Sequence, residues 1–296
     1  MSIESLYSHF LQSTGVSTDT RKIGQGNIFF ALKGPNFNAN DFAPKALEAG
    51  ASLVVVDEQR VIPHGDPRYF LVEDALLALQ KLANHHRHQL PIPIIGLTGS
   101  NGKTTSKELL HAVLKQKFKT SATVGNLNNH IGVPLTLLAI TPDTEIAIVE
   151  MGANKQGDIK ELCDIAEPTH GFITNIGKAH LEGMGGPEGV LKTKTELFQH
   201  LRGIAARPAV DAVGLIDPAA ATRLRAVIAV AVVIVAAATA TALPVVHVQL
   251  RHPVDKLISY ANPFWPTAPL RVVPALLARF LPFTACAGPH GPAPAS

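Results

Sequence analysis

The chain has 296 residues, 46% of them hydrophobic and 17% charged, with a net charge of +3 and two cysteines, Cys163 and Cys286. Those totals describe a globular protein with room for two ordinary domains; they exclude a disulfide framework, and no nucleic-acid partner is expected. The N-terminus, MSIESLYSHFLQ, carries an acidic residue and no basic flank before an apolar core, so it does not read as a signal peptide, and a reducing, cytoplasmic setting is expected.

In chain order, the run IFFAL (28–32), the polar turn GPNFNAND, a helical pattern ended by Gly50 and the run SLVVVDE predict a small α/β unit. Asp74 then caps a helix, DALLALQKLANHHRHQ, whose histidines His85, His86 and His88 read as a solvated helix end rather than a metal site. Beyond Pro91 and Pro93, apolar runs alternate with amphipathic helices: IIGLT, KTTSKELLHAVLKQ, EIAIVEMG, QGDIKELCDIA, GFITNIG and GPEGVLKTKTELFQHL. That alternation predicts an α/β fold, a parallel sheet with helices on both faces. Ligands in such sheets sit at the carboxyl ends of the strands, which selects Gly99 to Thr105, Glu150 to Gly152, and Asn175 to His180.

The first of these segments lies in IIGLTGSNGKTTSKELL (94–110). The general phosphate-loop pattern fails there by one residue, because Leu97 stands where the first glycine should be. A buried strand, a turn (Gly99, Ser100, Asn101, Gly102) and a helix opening on Lys103, Thr104 and Thr105 nevertheless aim backbone N–H groups at an anion. Lys103 then places an ammonium where β and γ phosphates would lie, and the Thr104 hydroxyl is positioned for Mg2+. Glu150, at the tip of an apolar run, is costly to bury unless it meets water or a cation. His180, after the next run, reads equally as structural or as a metal ligand, and Lys194 by itself reads as a surface lysine.

TGSNGKTT, GNLNNHIGVP, VEMGA, TNIGKAHLEGMGG and KTKTELF occur in an order and spacing that resembles the Mur ligases. STDTRKIGQGNIFFALKG through AGASLVVVDE is similar to the first domain of that family, and together the likeness spans about residues 16–202. The resemblance implies a UDP-substrate-binding domain over 1–90 and a P-loop ATP-binding domain over 91–202. It also implies ATP-dependent amide formation in peptidoglycan precursor synthesis. The terminal carboxylate of UDP-N-acetylmuramoyl tripeptide is phosphorylated, and the amine of D-alanyl-D-alanine displaces phosphate. Carried over by position, Lys103 would contact ATP phosphates and Thr104 one Mg2+, while Glu150 and His180 would serve metal ions. Lys194 would be the lysine that the family carbamylates, and Thr18, Asp19, Thr20 and Arg21 would handle the UDP end. Asn126, Asn128 and Asn129 fall in a family motif without individual roles.

Residues 1–202 hold 14 Lys and 5 Arg against 20 Asp and Glu, whereas 203–296 hold 1 Lys and 6 Arg against 3 Asp and no Glu. None of the family's later motifs is readable in the second segment. Its uncharged run from Ala226 to Leu250 is long enough to cross a bilayer but is built of alanine and valine with Thr239, Thr241 and Pro244. Three origins for this tail compete: out-of-frame or chimeric sequence, which the composition favours, a membrane anchor, or a divergent third domain. No fold is assigned to it, a membrane partner is expected only if the run is a genuine span, and weak or absent ligation is expected. The alternative is a nucleotide-binding module without ligase chemistry, anchored by the tail.

Overall fold

Two sheets, one parallel and one mixed, organise the chain in a computed structural model that describes residues 2–177, 181–205, 245–250 and 258–261. The first is built from Val16–Ser17 (β1), Ile28–Phe30 (β2), Leu53–Val56 (β5) and Tyr69–Leu71 (β6), in the order β1-β2-β5-β6, every pair parallel. Between β2 and β5 lie a short hairpin, Lys33–Gly34 (β3) with Phe37–Asn38 (β4), and a helix, Ala43–Glu48 (α2), that packs on β5. β2 and β5 are apolar at every position because both of their faces are covered. β6 is only three residues long, too short to give a periodic signal, and the sequence reading passed over it.

The second sheet has six described strands. Ile94–Thr98 (β7) sits between His170–Ile173 (β10) and Ile146–Glu150 (β9), with Thr120–Ala122 (β8) beyond β9; these four strands are parallel. Alternation sorts the side chains. Ile95, Leu97, Ile146 and Ile148 meet Leu110 and Leu114 of the helix Lys103–Leu114 (α4). Ile94, Ala147 and Val149 face the opposite side, where Gly132–Leu138 (α5), Asp158–Ala166 (α6) and Gly186–Ala205 (α8) pack. Helices therefore cover both faces, as the sequence pattern predicts. A short helix, Leu181–Met184 (α7), precedes α8.

Val245–Leu250 (β11) and Ile258–Ala261 (β12), from the segment to which sequence reading assigned no fold, extend the sheet antiparallel from β10. The run VVHVQL has the β-branched content that a strand rewards, and β10 offers it an edge with unpaired backbone groups. The last six residues of the candidate membrane run are thus strand, and the remainder lies outside the described residues. Among the described residues no helix is long and apolar enough to cross a membrane.

One helix serves both sheets. Asp74 caps Ala75–His88 (α3) by accepting the Leu77 N–H at 2.7 Å, as its place in the sequence predicts. α3 contacts β2 on one side and α5 and α6 on the other, so Phe30, Leu79, Leu82, Leu137 and Leu162 share one continuous core. Ile3–Gln12 (α1) packs along it. At its C-terminal end the helix closes off α6. The buried Arg87 guanidinium donates to the carbonyls of Ala166 (3.1 Å), Glu167 (3.2 Å) and Leu90 (2.7 Å), and Asn84 donates to that of Ile165 at 3.0 Å. These donors satisfy carbonyls that the helix end leaves open.

Of the α3 histidines expected to form a solvated end, His88 is exposed and His85 half-buried, but His86 is not solvated. His86 is buried, with Nδ1 3.2 Å from the Tyr7 hydroxyl and Nε2 3.1 Å from the Ile140 carbonyl, and burial pushes its pKa down. α1 folds back over this turn of α3, a long-range contact with no local signature. His85 packs edge-on against Tyr7, and His88 approaches the Glu167 carboxylate at 3.0 Å. Among the described residues no group of three or more His, Cys, Asp or Glu is placed to hold a metal ion.

Replacing Arg87 by Met should strip three carbonyls, two of them buried, of their charged donor. Urea unfolding of the full chain should show a loss of about 2–4 kcal/mol.

Candidate functional site

β7 ends in a turn that is held from the side by the residues after β10. Gly99 has φ +149°, and a Cβ there would overlap the Thr174 hydroxyl and lie 3.1 Å from the Asn175 amide nitrogen. The Ser100 amide donates to the Asn175 carbonyl (3.1 Å), the Asn101 amide to Asn175 Oδ1 (2.9 Å), and the Thr174 hydroxyl to the Asn101 carbonyl (2.6 Å). Gly177 completes the clasp by donating its amide to Ser100 Oγ at 3.0 Å. Gly102, at φ +74°, occupies the position before α4, and no side chain caps the helix. The amides of Lys103, Thr104 and Thr105 therefore have no acceptor within the helix and point out of its positive end.

Three charged side chains converge here, with Lys103 half-buried and Glu150 and Lys194 buried. The Lys103 ammonium donates to the Gly99 carbonyl at 2.9 Å, and burial lowers its pKa against the opposing pull of Glu150. Glu150, 1% exposed, accepts from Asn128 Nδ2 at 2.8 Å and from the Thr104 hydroxyl at 3.3 Å, both through Oε1. Its other oxygen, Oε2, is buried without a hydrogen-bond partner. Lys194, 1% exposed on α8, has its pKa lowered to about 8, by burial first and by Lys103 second, with Asp158 and Glu196 opposing. The expectation of a surface lysine is thus corrected: α8 turns this side of KTKTELF into the sheet. Glu196, two residues on, accepts the Gly157 and Lys160 amides at 2.8 and 2.9 Å and fixes α8 against the start of α6.

A buried carboxylate with one unpaired oxygen, beside a threonine hydroxyl and an uncapped helix N-terminus, is a donor set suited to a hard divalent cation next to phosphates. Glu150 and Thr104 would hold such an ion, and its charge would compensate the unpaired oxygen. His180 lies outside the described residues.

The asparagine-rich segment carries Asn128 to Glu150. Asn129 Oδ1 accepts the amides of Ile131 (3.1 Å) and Gly132 (2.9 Å) and so starts α5, and the Asn126 carbonyl accepts the Asn128 amide at 2.8 Å. A Cβ at Gly132 would collide with the Leu127 backbone, so this segment closes only with glycine there.

Thr18, Asp19, Thr20 and Arg21 lie in the first sheet's unit, at the carboxyl end of β1. Asp19 accepts from Arg21 Nε at 2.9 Å and from a terminal guanidinium nitrogen at 2.8 Å, which together with the Arg21 amide pulls its pKa to about 2. The Arg21 side chain is 86% exposed. Sequence reasoning missed Thr123, whose hydroxyl accepts the Glu150 amide at 2.9 Å, and Lys107, whose ammonium reaches the Thr123 carbonyl. The one available signal was that Lys107 stands a helical turn beyond Lys103.

Residues 12–87 match the Mur ligase family, catalytic domain, and residues 97–231 match the Mur ligase middle domain. The UDP-N-acetylmuramoyl-tripeptide–D-alanyl-D-alanine ligase of Bacillus subtilis is 44% identical over 188 residues, which is 64% of this chain and 41% of that protein. MurF from Acinetobacter baumannii superposes with a TM-score of 0.60 at 33% identity, covering 68% of this chain and 46% of that one. The crystal structure of the MurF ligase from Thermotoga maritima in complex with ADP gives 0.58 at 36%, covering 64% and 44%. The chain spans about two fifths of the length of the curated relatives it matches. With both domain matches in register with the two sheets, the chain belongs to the Mur ligase family.

Proposed function

We propose that this chain holds ATP phosphates and Mg2+ at the β7–α4 turn and the UDP end of a muramoyl peptide at the first sheet. In this reading residues 1–90 and 91–202 are the first two domains of a ligase. That ligase joins D-alanyl-D-alanine to UDP-N-acetylmuramoyl tripeptide in peptidoglycan precursor synthesis. The observation that carries the reading is the half-satisfied, buried Glu150 carboxylate beside Thr104 at an uncapped helix start. The ADP complex of the Thermotoga maritima relative supports it from outside the chain.

The residues divide the work by charge. The amides at the start of α4 and the Lys103 ammonium neutralise phosphate oxygens and hold the transferring group in line. Glu150 and Thr104 orient the cation, which when bound supplies charge neutralisation at those phosphates. Asp19 spends two guanidinium donors of Arg21 and fixes its plane, leaving the remaining N–H groups for a diphosphate.

Lys194 enters through its amine. The ammonium first gives up one proton; the neutral nitrogen then attacks carbon dioxide, an N–C bond forms as one C=O π bond opens onto oxygen, and the nitrogen releases a second proton to leave an anionic carbamate. Burial and Lys103 lower the pKa to about 8, so a substantial share of the side chain is neutral near physiological pH. Once formed, the carbamate would face the same cation as Glu150.

Isothermal titration of the full chain with ADP and Mg2+ should give saturable binding, and Lys103→Met should weaken it by about tenfold or more; equal affinities in the two proteins would refute the phosphate role. With 13C-labelled carbon dioxide at constant dissolved gas, a carbamate resonance should grow as pH rises through about 8 and be missing from Lys194→Met. The same substitution should change the stability profile. The unfolded lysine binds more protons than the folded one between about 8 and 10.5, so the parent gains stability with pH across that window. Lys194→Met should therefore be the more stable protein below pH 8, with the gap closing toward pH 10.5 in a urea-midpoint series.

A further inference from the structure

Lys107 is 0% exposed, an unusual place for an ammonium, and it touches neither the phosphate turn nor the first sheet. Its three N–H donors have three acceptors: the Thr123 carbonyl at 2.6 Å, the Gly125 carbonyl at 3.3 Å and Glu108 Oε1 at 2.8 Å. Two of these lie just past the end of β8, an edge strand of three residues. Beyond it the chain leaves the sheet through Val124, which is 73% exposed, and Gly125, at φ +57°. β8 alone pairs with β9 over three residues, too few to hold this exit in place.

The exit matters because Glu150 is addressed from it twice. The Thr123 hydroxyl accepts the Glu150 amide at 2.9 Å, and its own amide donates to the Ile148 carbonyl at 3.0 Å. Five residues along, Asn128 donates to Glu150 Oε1 at 2.8 Å, and its carbonyl accepts the Gly152 amide at 2.7 Å. Lys107 binds the carbonyls of Thr123 and Gly125, between β8 and Asn128, and so fixes the path that connects the two contacts.

We propose that Lys107 is a positioning residue for the Glu150 cation site: its buried ammonium clamps the Thr123–Gly125 exit to α4 and thereby sets the direction of the Glu150 carboxylate. The inference rests on the nucleotide and Mg2+ reading above. It assigns Lys107 no contact with phosphate. The two lysines of one helix face then have separate tasks, Lys103 toward the phosphates and Lys107 toward the backbone that aims Glu150.

The separation gives a test. ADP affinity of the full chain is measured with Mg2+ and with a chelator, for the parent, Lys107→Met, Asn128→Ala and the double variant. With the chelator, Lys107→Met should bind ADP within about twofold of the parent; with Mg2+, it should lose about tenfold of the metal-dependent gain. The double variant should lose no more than the worse single one, because both act through Glu150. A full Mg2+ gain in Lys107→Met, or losses that add in the double variant, would overturn the assignment while leaving nucleotide binding intact. A parent that binds no ADP under either condition would instead sink the functional reading, and this inference with it. If Lys107→Met does not fold by circular dichroism, Thr123→Val, which removes the hydroxyl in the same linkage, carries the same expectation and the same refuting outcome.

Discussion

The contact of Gly99 with Thr174 is the constraint from which the site follows. Because no side chain separates them, the turn after β7 lies against the residues after β10: Asn175 accepts its Ser100 and Asn101 amides, Thr174 donates to its Asn101 carbonyl, and Gly177 bonds the Ser100 hydroxyl. A turn fixed on that side presents its free N–H groups on the other, along the axis of α4. A second contact of similar kind stands across β9, where a Cβ on Gly152 would press on the Asn128 side chain at 2.8 Å. Backbone packed this closely has little freedom to relax, and the positions of Lys103, Thr104 and Glu150 follow from it.

Electrostatically the site is arranged for a partner it does not itself provide. Two ammonium groups, half-buried Lys103 and buried Lys194, and the positive end of a helix face one buried carboxylate, so an anion lowers the energy of the site. The lone oxygen of Glu150 asks at the same time for a cation. In the proposed reading, a nucleotide phosphate together with a divalent ion answers both demands, and neither does so alone.

Much of this was legible in the residues. The strand, turn and helix around TGSNGKTT were readable although the general phosphate-loop template fails at Leu97, because the physical requirement is a bare helix start after a tight turn, not a glycine at that position. Glu150 stood out by the cost of a carboxylate in an apolar run. What the sequence concealed depends on long-range packing. Lys194 looks like any exposed helical lysine until α8 is seen against the sheet, and His86 looks solvated until α1 covers it. Lys107 gave little sign because, apart from its neighbour Glu108, it bonds to backbone carbonyls, which mark no residue type to search for. β11 was hidden by composition: a valine-rich stretch next to alanines reads as a membrane run or as nothing, and only the open edge of β10 gives it a place.

The position of α3 bears on how the chain can be divided. Its apolar flank is covered by β2 on one side and by α5 and α6 on the other, and Arg87 closes a helix that belongs to the second sheet. A cut near residue 90 would leave that flank bare in the first piece and the end of α6 without its donors in the second. The two sheets are thus cooperative partners in folding, and the seam between the first sheet's unit and the second's is a shared helix, not a linker.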